Sequence, residues 1–201
     1  MINHAKYVTD MNVGFLVGNP ISYSSRKDKS IDSVLDEYAE MDVVSHDTEL
    51  EKDLSVFGIG FELMYLRKVP GSELETEIRI KIVDSRGVFL VTDDTIEKNP
   101  LFAVHYYKRV DLEGEEASYM LNVYTPNTNI THLVKDLALS EISLVKETPQ
   151  YFGGMQVIEY RNNEEKQGDF EQGISLSDAY NVLQSGRISD KEAFIDALLI
   201  I

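Results

Sequence analysis

Two carboxylates beside a lysine form the short motif in this sequence that is most typical of catalysis. Glu164, Glu165 and Lys166 are consecutive, and a carboxylate near a lysine can hold a divalent cation and orient a water molecule. Such a site also needs a carboxylate on a rigid element, but Pro149 is followed by Gln150 rather than Asp, and the triplet falls in a predicted loop. The motif therefore predicts a solvated charge run, and a metal-dependent nuclease stays open as an alternative.

The other residues that bind metals or phosphate lack the spacing that such sites need. The histidines are isolated in sequence and show no His-Glu-x-x-His pattern; of these, His105 and His132 lie in predicted strands and could meet across a sheet. Asp93 and Asp94 lack the alternating ligands of a calcium loop and predict a turn. We therefore expect no metal site.

Glycine-rich and serine motifs are incomplete as well. Gly58-Ile59-Gly60 begins a dinucleotide-binding pattern, but Leu63 takes the third glycine position, and the chain has no Gly-Lys-Ser/Thr. A nucleophile elbow fails because Ser177 stands where its second glycine is required, so Ser175 is predicted to cap a helix. No cofactor and no catalytic residue is expected, and the protein is predicted not to be an enzyme.

A binding module is the remaining alternative class. It would use an exposed sheet face, with tyrosines of the predicted strands as aromatic anchors: Tyr106, Tyr107, Tyr119 and Tyr124. Strand tyrosines also serve in ordinary core and sheet packing. The oligomeric state of the complete protein tests this alternative, because a module of this kind would be monomeric.

Net charge restricts the partners. The chain has 19 Lys and Arg against 35 Asp and Glu, a formal net charge of -16, so its field repels polyanions and tight static DNA binding is excluded. The densest basic group, Arg26 to Lys29, includes Asp28 and lies in a Ser-rich loop. The chain has no cysteine, which excludes disulfides and thiolate chemistry, and it has no apolar run long enough to cross a membrane.

Hydrophobic periodicity predicts helices at both ends of the chain. Near the start, a first helix carries Val8, Met11 and Phe15, a second carries Ile31 to Tyr38, and a third has a capping-box pattern at Thr48 and Glu51 before Gly58. After Phe170, one helix carries Leu176 to Leu183, and another is capped by Ser189 and Glu192.

Between these helices the apolar residues alternate with period two. Ile78, Ile80 and Ile82 share one face, and further strands are predicted at 88–92, 101–108, 118–125, 130–134, 142–146 and 156–160. Short strands joined by turn residues favour an antiparallel or mixed sheet. The predicted fold class is α+β, with helices from both ends bracketing an inserted β-sheet subdomain.

Three stretches of the sequence resemble one known family. They are the run Gly153–Glu171 with the helical segments 177–181 and 190–197, the pair Val88–Thr95 and Pro100–Tyr107, and Tyr7–Gly14 with Gly18-Asn19-Pro20. Together they resemble the portal, or head-to-tail connector, proteins of tailed bacteriophages, of the siphophage type. The sequence departs from that pattern at Gln156, where Pro is frequent, and at Gly186, where Asp is frequent.

The resemblance implies a structural role. A portal protein forms a dodecameric ring at one capsid vertex, nucleates assembly, passes double-stranded DNA transiently during packaging and ejection, and joins head to tail. The implied partners are further copies of the chain, capsid and scaffold proteins, the terminase and neck or adaptor proteins, without a membrane. The implied location is the virion, after synthesis in the host cytoplasm or from a prophage.

Within such a subunit the chain resembles the wing region. Residues 1–66 correspond to its N-terminal helical part, 67–161 to a β-rich subdomain, and 162–201 to helices that lead toward a stem. The apolar ending Ala197 to Ile201 is unusual for a chain terminus, so we expect an excised fragment, with the stem, clip and crown following.

Candidate assembly residues lie where the sheet joins the terminal helices. They are Glu159, Tyr160, Asn162, Asn163, Gly168, Asp169 and Phe170. Asn162 and Asn163 tolerate turn dihedrals, and we expect the segment to fix the placement of the helices relative to the sheet. Phe170 is expected to be its packed anchor.

Overall fold

Helices at both ends of the chain bracket two antiparallel β-sheets in the computed structural model, which describes residues 3–26, 30–69, 71, 75–110, 117–135 and 141–198. The helices are α1 His4–Leu16, α2 Asp32–Glu40, α3 Val43–Phe57 and α4 Ile174–Leu198. The strands are β1 Ile59–Lys68, β2 Thr76–Val83, β3 Val88–Thr92, β4 Pro100–Val110, β5 Ala117–Tyr124, β6 Thr128–Val134, β7 Ile142–Pro149 and β8 Val157–Arg161. This arrangement confirms the predicted α+β class.

The β segment divides into two sheets. A three-stranded sheet has the order β2-β1-β8, and a five-stranded sheet has the order β3-β4-β5-β6-β7. The strand pairs of the five-stranded sheet follow the chain as a meander, whereas β8 returns over a long sequence distance to pair with β1 through Ile59 and Arg161. The ends of the β segment are therefore hydrogen-bonded to each other.

The core lies between the two sheets. Phe61 and Val157 of the smaller sheet pack with Val88 and Ala103 of the larger one. On the opposite face of the smaller sheet, Gly60 permits close approach of α3, because a Cβ there would lie 2.7 Å from Leu50 Cδ1. The smaller sheet is thus a middle layer between helices and the second sheet.

Strand β1 was not predicted from the sequence. Its central residues, Leu63 to Leu66, are consecutively apolar, and Glu, Leu and Met are strong helix formers. Gly60 to Glu62 are buried, Leu63 to Tyr65 are half-buried and Leu66 is exposed, so burial along β1 does not alternate as it does in a half-solvated strand. The predicted boundary between the N-terminal helical part and the β-rich subdomain, at residues 66 and 67, falls within β1. The predicted boundary between that subdomain and the C-terminal helices, after residue 161, falls at the end of β8.

Three predictions about helix ends are wrong. Helix α3 begins at Val43 after Asp42, whose φ is 52°, so Thr48 lies inside the helix and donates its hydroxyl to Val44 O at 2.8 Å. The two predicted C-terminal helices are one continuous helix, α4, in which Ser189 donates to Ser185 O instead of capping. Ser175 likewise lies within the first turn of α4.

Two other predictions concern residues that lie partly outside the described ranges. These are the basic group Arg26 to Lys29 and the apolar ending Ala197 to Ile201.

The core packing predicts a large difference between two phenylalanines. Phe61→Ala removes a ring that is 2% exposed and should lower the free energy of unfolding by about 3–5 kcal/mol. Phe15→Ala is the matched control, since that ring is 86% exposed and its loss should change stability by less than about 0.5 kcal/mol. Urea unfolding followed by circular dichroism measures both. Equal losses would contradict the position of the core.

Candidate functional site

The β8–α4 loop, residues 162–170, carries most of the predicted assembly residues. Because β8 pairs with β1, this loop lies beside the point where α3 ends and β1 begins. Asn162 N donates to Gly58 O at 3.0 Å, and Asp169 N donates to Ser55 O at 2.9 Å. The loop is therefore tied at both of its ends to the last turn of α3.

Two glycines make this contact possible. Gly58 ends α3 with φ 73°, and a Cβ there would lie 2.2 Å from Lys166 O. Gly168 is buried, and a Cβ on it would lie 2.6 Å from Val56 O and 2.8 Å from Ser55 O. Backbone meets backbone at both positions, so neither neighbour can move aside cheaply.

The carboxylate of Asp169 connects the loop to α1. Its Oδ1 accepts from Asn162 Nδ2 at 2.8 Å, and its Oδ2 accepts from Asn12 Nδ2 of α1 at 2.7 Å. The bond from Asp169 to α3 is made by its backbone N–H, which donates to Ser55 O. Ser55 is fully buried and lies 3.1 Å from the Thr9 hydroxyl of α1.

These donors change the titration of the group. Partial burial opposes ionisation, but the polar interactions with Asn162, Ser55 and Asn12 outweigh it and hold the pKa of Asp169 below its ordinary value. The folded protein therefore prefers the ionised carboxylate. Its stabilising contribution is complete above the unfolded-chain pKa of about 3.9 and is lost as pH falls through the lower folded value.

The two asparagines shape the loop itself. Asn162 and Asn163 both donate their side-chain amides to Gln167 O, at 3.1 and 2.8 Å. Asn163 Oδ1 also accepts from Gln167 N at 2.8 Å. These local bonds close the loop as turn-forming asparagines do.

Glu159 and Tyr160 lie next to the loop but have other neighbours. Arg161 Nε and Lys166 Nζ approach Glu159 Oε1 at 2.7 and 2.8 Å. Burial raises the pKa of Glu159, but the bonds from Lys166 and Arg161 outweigh it, so the net shift is downward. Tyr160 follows on the opposite face of β8 and lines a cavity with Glu62.

Phe170 is half-buried at the start of a short 3₁₀ turn, Glu171–Gly173, that leads into α4. It lines a cavity of about 560 Å³ together with Ala5 and Val8 of α1 and Ile174 of α4. Its ring therefore lies where α1 and α4 come together.

Sequence reasoning missed the partners of the loop. Asn12 and Ser55 lie in helical segments, 157 residues from Asp169 in the case of Asn12. A polar residue on the packed side of a helix was the available signal: Thr9 and Ser55 are buried along with Val13 and Leu50. Gly58 was recognised as a helix end and as part of an incomplete glycine pattern, but not as a contact point of the loop.

The residues considered for chemistry are otherwise engaged or separated. Lys166 pairs with Glu159, and Gln150 donates to Gly154 O at 2.6 Å. Asp93 Oδ1 accepts from Thr95 and Asn99, which confirms the predicted turn. Within the described ranges no three His, Asp or Glu side chains gather as metal ligands do.

His105 and His132, which could have met across a sheet, lie on strands that are separated by β5. The four tyrosines also fail to form one surface. Strand register places Tyr106 and Tyr119 on one face of the five-stranded sheet and Tyr107 and Tyr124 on the other.

None of the described helices is long and apolar enough to span a lipid bilayer.

Comparison with known proteins identifies the class as phage portal proteins. The sequence matches the family described as "Phage portal protein, SPP1 Gp6-like" over residues 1–201. Because the match covers the whole chain, the chain belongs to the SPP1 Gp6-like portal protein family. No curated protein matches it. Portal proteins are structural rather than enzymatic; they form ring oligomers with capsid and packaging partners at the portal vertex of the virion.

The close contact at Gly168 yields a stability prediction. Gly168→Ala forces a methyl group against two carbonyl oxygens of α3 and should cost about 1–3 kcal/mol in urea unfolding. Gly173→Ala is the matched control, because a Cβ there has no neighbour within 4 Å. The control should be neutral or slightly stabilising. If the two variants unfold alike, the loop does not contact α3 as described.

The carboxylate of Asp169 yields a pH prediction. Asp169→Asn should lower the free energy of unfolding by about 1 kcal/mol at neutral pH, a modest value because the group is partly solvated. The difference from the parent protein should persist down to about pH 4 and shrink below it. Thermal unfolding between pH 3 and 7 measures this. Asp94→Asn, at an exposed turn position, should show no such pH dependence; a pH-independent effect of Asp169→Asn would contradict the assignment.

Proposed function

We propose that this chain is the wing region of a portal subunit, in a dodecameric ring through which DNA is packaged into the capsid and later ejected, and which joins head to tail. The observation that carries this proposal is the family match over residues 1–201. The further partners are capsid and scaffold proteins, the terminase and neck or adaptor proteins. Synthesis takes place in the host cytoplasm, from a phage or prophage gene.

The charge of the chain supports a conduit. A net charge of -16 repels phosphate, so DNA passes such a subunit without the counterion release that drives tight binding. Contacts with DNA are therefore transient and independent of base sequence. The metal-dependent nuclease lacks support, since Lys166 and Gln150 have structural partners.

The β8–α4 loop supports a mechanical role. Within the proposed subunit, residues 1–66 and 67–161 form the helical and β-rich parts, and residues 162–201 lead toward the stem. Asn162, Asn163, Gly168 and Asp169 fix the start of α4 against α1 and α3 through hydrogen bonds and backbone contact. A force applied to α4 is therefore transmitted to α1 and α3 through hydrogen bonds and packed backbone atoms, not through a flexible linker.

Assembly of the intact protein tests this role. Phe170→Ala should lower the yield of rings counted by negative-stain electron microscopy, because it loosens α4 against α1. Phe152→Ala, also half-buried but between β7 and β8, should assemble at the parent level. Normal ring yield from Phe170→Ala would contradict the role of the anchor, and a parent protein that stays monomeric would contradict the proposed function.

A further inference from the structure

A second cavity lies on the helical side of the three-stranded sheet, between that sheet and helices α2 and α3. Its volume is about 450 Å³, within the range of sites that hold small ligands or single side chains. One wall is apolar and consists of Met64, Ile78 and Ile80 from β1 and β2. The described residues of its lining include no Lys, Arg or His.

Aromatic rings and carboxylates form the polar part of this cavity. The rings of Tyr23 and Tyr38 meet edge to face, with centroids 5.1 Å apart, and Tyr160 lines the same space. Glu37, Asp47 and Glu62 supply the carboxylates. Aromatic faces beside carboxylates attract organic cations, since both present negative charge to the ligand.

The negative charge of the cavity is only partly balanced. Among the described residues, the Glu62 carboxylate, on a side chain 10% exposed, has one polar partner, His46 Nε2, at 2.8 Å. The carboxylate of Asp47 has no hydrogen bond and no ion pair within the described ranges. Burial raises the pKa of Asp47; His46 opposes this shift and Glu62 adds to it.

The negative charge of the cavity also affects the pKa values of its tyrosines. Burial raises the pKa values of Tyr23 and Tyr160, and the nearby Asp47 and Glu62 carboxylates raise them further. A cation placed among these groups would relieve the repulsion, whereas an anion would increase it.

The shape selects among cations. A bare metal ion needs several close oxygen ligands, and no group of three such residues occurs in the described parts of the chain. A guanidinium or ammonium group on an alkyl stem fits better, because its stem can lie along Met64 and Ile80. Arginine fits best, since its planar head both stacks on tyrosine and pairs with carboxylate.

We propose that this cavity receives an arginine or lysine side chain from the neighbouring copy of the chain. The inference rests on the proposed ring, in which one surface of each subunit meets a different surface of the next. Copies that each carry a net charge of -16 repel one another, so an acidic site that takes a basic side chain offsets repulsion where they meet.

The first experiment tests the cavity in the monomeric protein, isolated by size-exclusion chromatography. N-acetyl-arginine methylamide is titrated in and followed by methyl NMR of Met41 and Met64, with Met11 and Met155 as reference methyls outside the cavity. The probe should shift the cavity methyls with a dissociation constant of about 1–10 mM. N-acetyl-citrulline methylamide, of similar shape but uncharged, should bind at least about tenfold more weakly.

Asp47→Asn should weaken the arginine probe about three- to tenfold, because it removes the carboxylate that has no partner in the described structure. Asp94→Asn, with an exposed carboxylate outside the cavity, is the matched control and should bind as the parent does. Circular dichroism of each variant establishes that it is folded. Equal binding of the arginine and citrulline probes would overturn the cation site.

The second experiment identifies the source of the side chain. In assembled rings the cavity should already be occupied, so the arginine probe should no longer shift the methyl of Met64. Asp47→Asn should also lower the fraction of protein that assembles into rings, whereas Asp94→Asn should not. Rings that bind the probe as the monomer does would overturn the neighbouring copy as partner. If the protein forms rings but binds the arginine and citrulline probes equally, only the proposed cation site is contradicted. If the parent protein forms no rings, the proposed function is contradicted.

Discussion

The ionised carboxylate of Asp169 accepts hydrogen bonds from Asn162 and from Asn12 of α1, and its backbone N–H donates to Ser55 O of α3. The placement of the loop against both helices depends on these bonds. Bonds to a charged acceptor are stronger than neutral ones, and they are directional, so they fix orientation as well as distance. The carboxylate reaches these donors because β8 pairs with β1 and brings the loop to the end of α3. The fold in turn makes that approach possible by keeping side chains out of the way at Gly58 and Gly168.

The elements that were predicted correctly are those whose local pattern and tertiary setting agree. Strand β2 alternates isoleucine with charged residues and was recognised, whereas β1 has no alternating pattern of burial and carries helix-forming residues. The break expected within α4 does not exist, because Gly186 and Ser189 are tolerated in a solvent-exposed helix. In both cases the tertiary setting of the element, which a single sequence does not display, decided the outcome.

The turn-forming residues of the β8–α4 loop could also be predicted from the sequence. Asn162, Asn163 and Gly168 have turn propensities that act over a few residues, so their position between strand and helix was a sound prediction. The partners of Asp169 in α1 and α3, the Asn12 amide and Ser55 O, were not visible, because they approach Asp169 only after β1 and β8 have paired. The pairing of His46 with Glu62 was missed for the same reason: a helix residue meets a strand residue through packing, not spacing.

Helix α4 has 25 residues, a length of about 37 Å, and most of its described side chains are exposed. Its main attachment is at the N-terminal end, where the 3₁₀ turn and Phe170 lie. A stiff rod held at one end amplifies rotation: a tilt of about 5° at the attachment moves the far tip by about 3 Å. Small angular adjustments among the layers at its base are thereby converted into a displacement as large as the spacing between two hydrogen-bonded atoms.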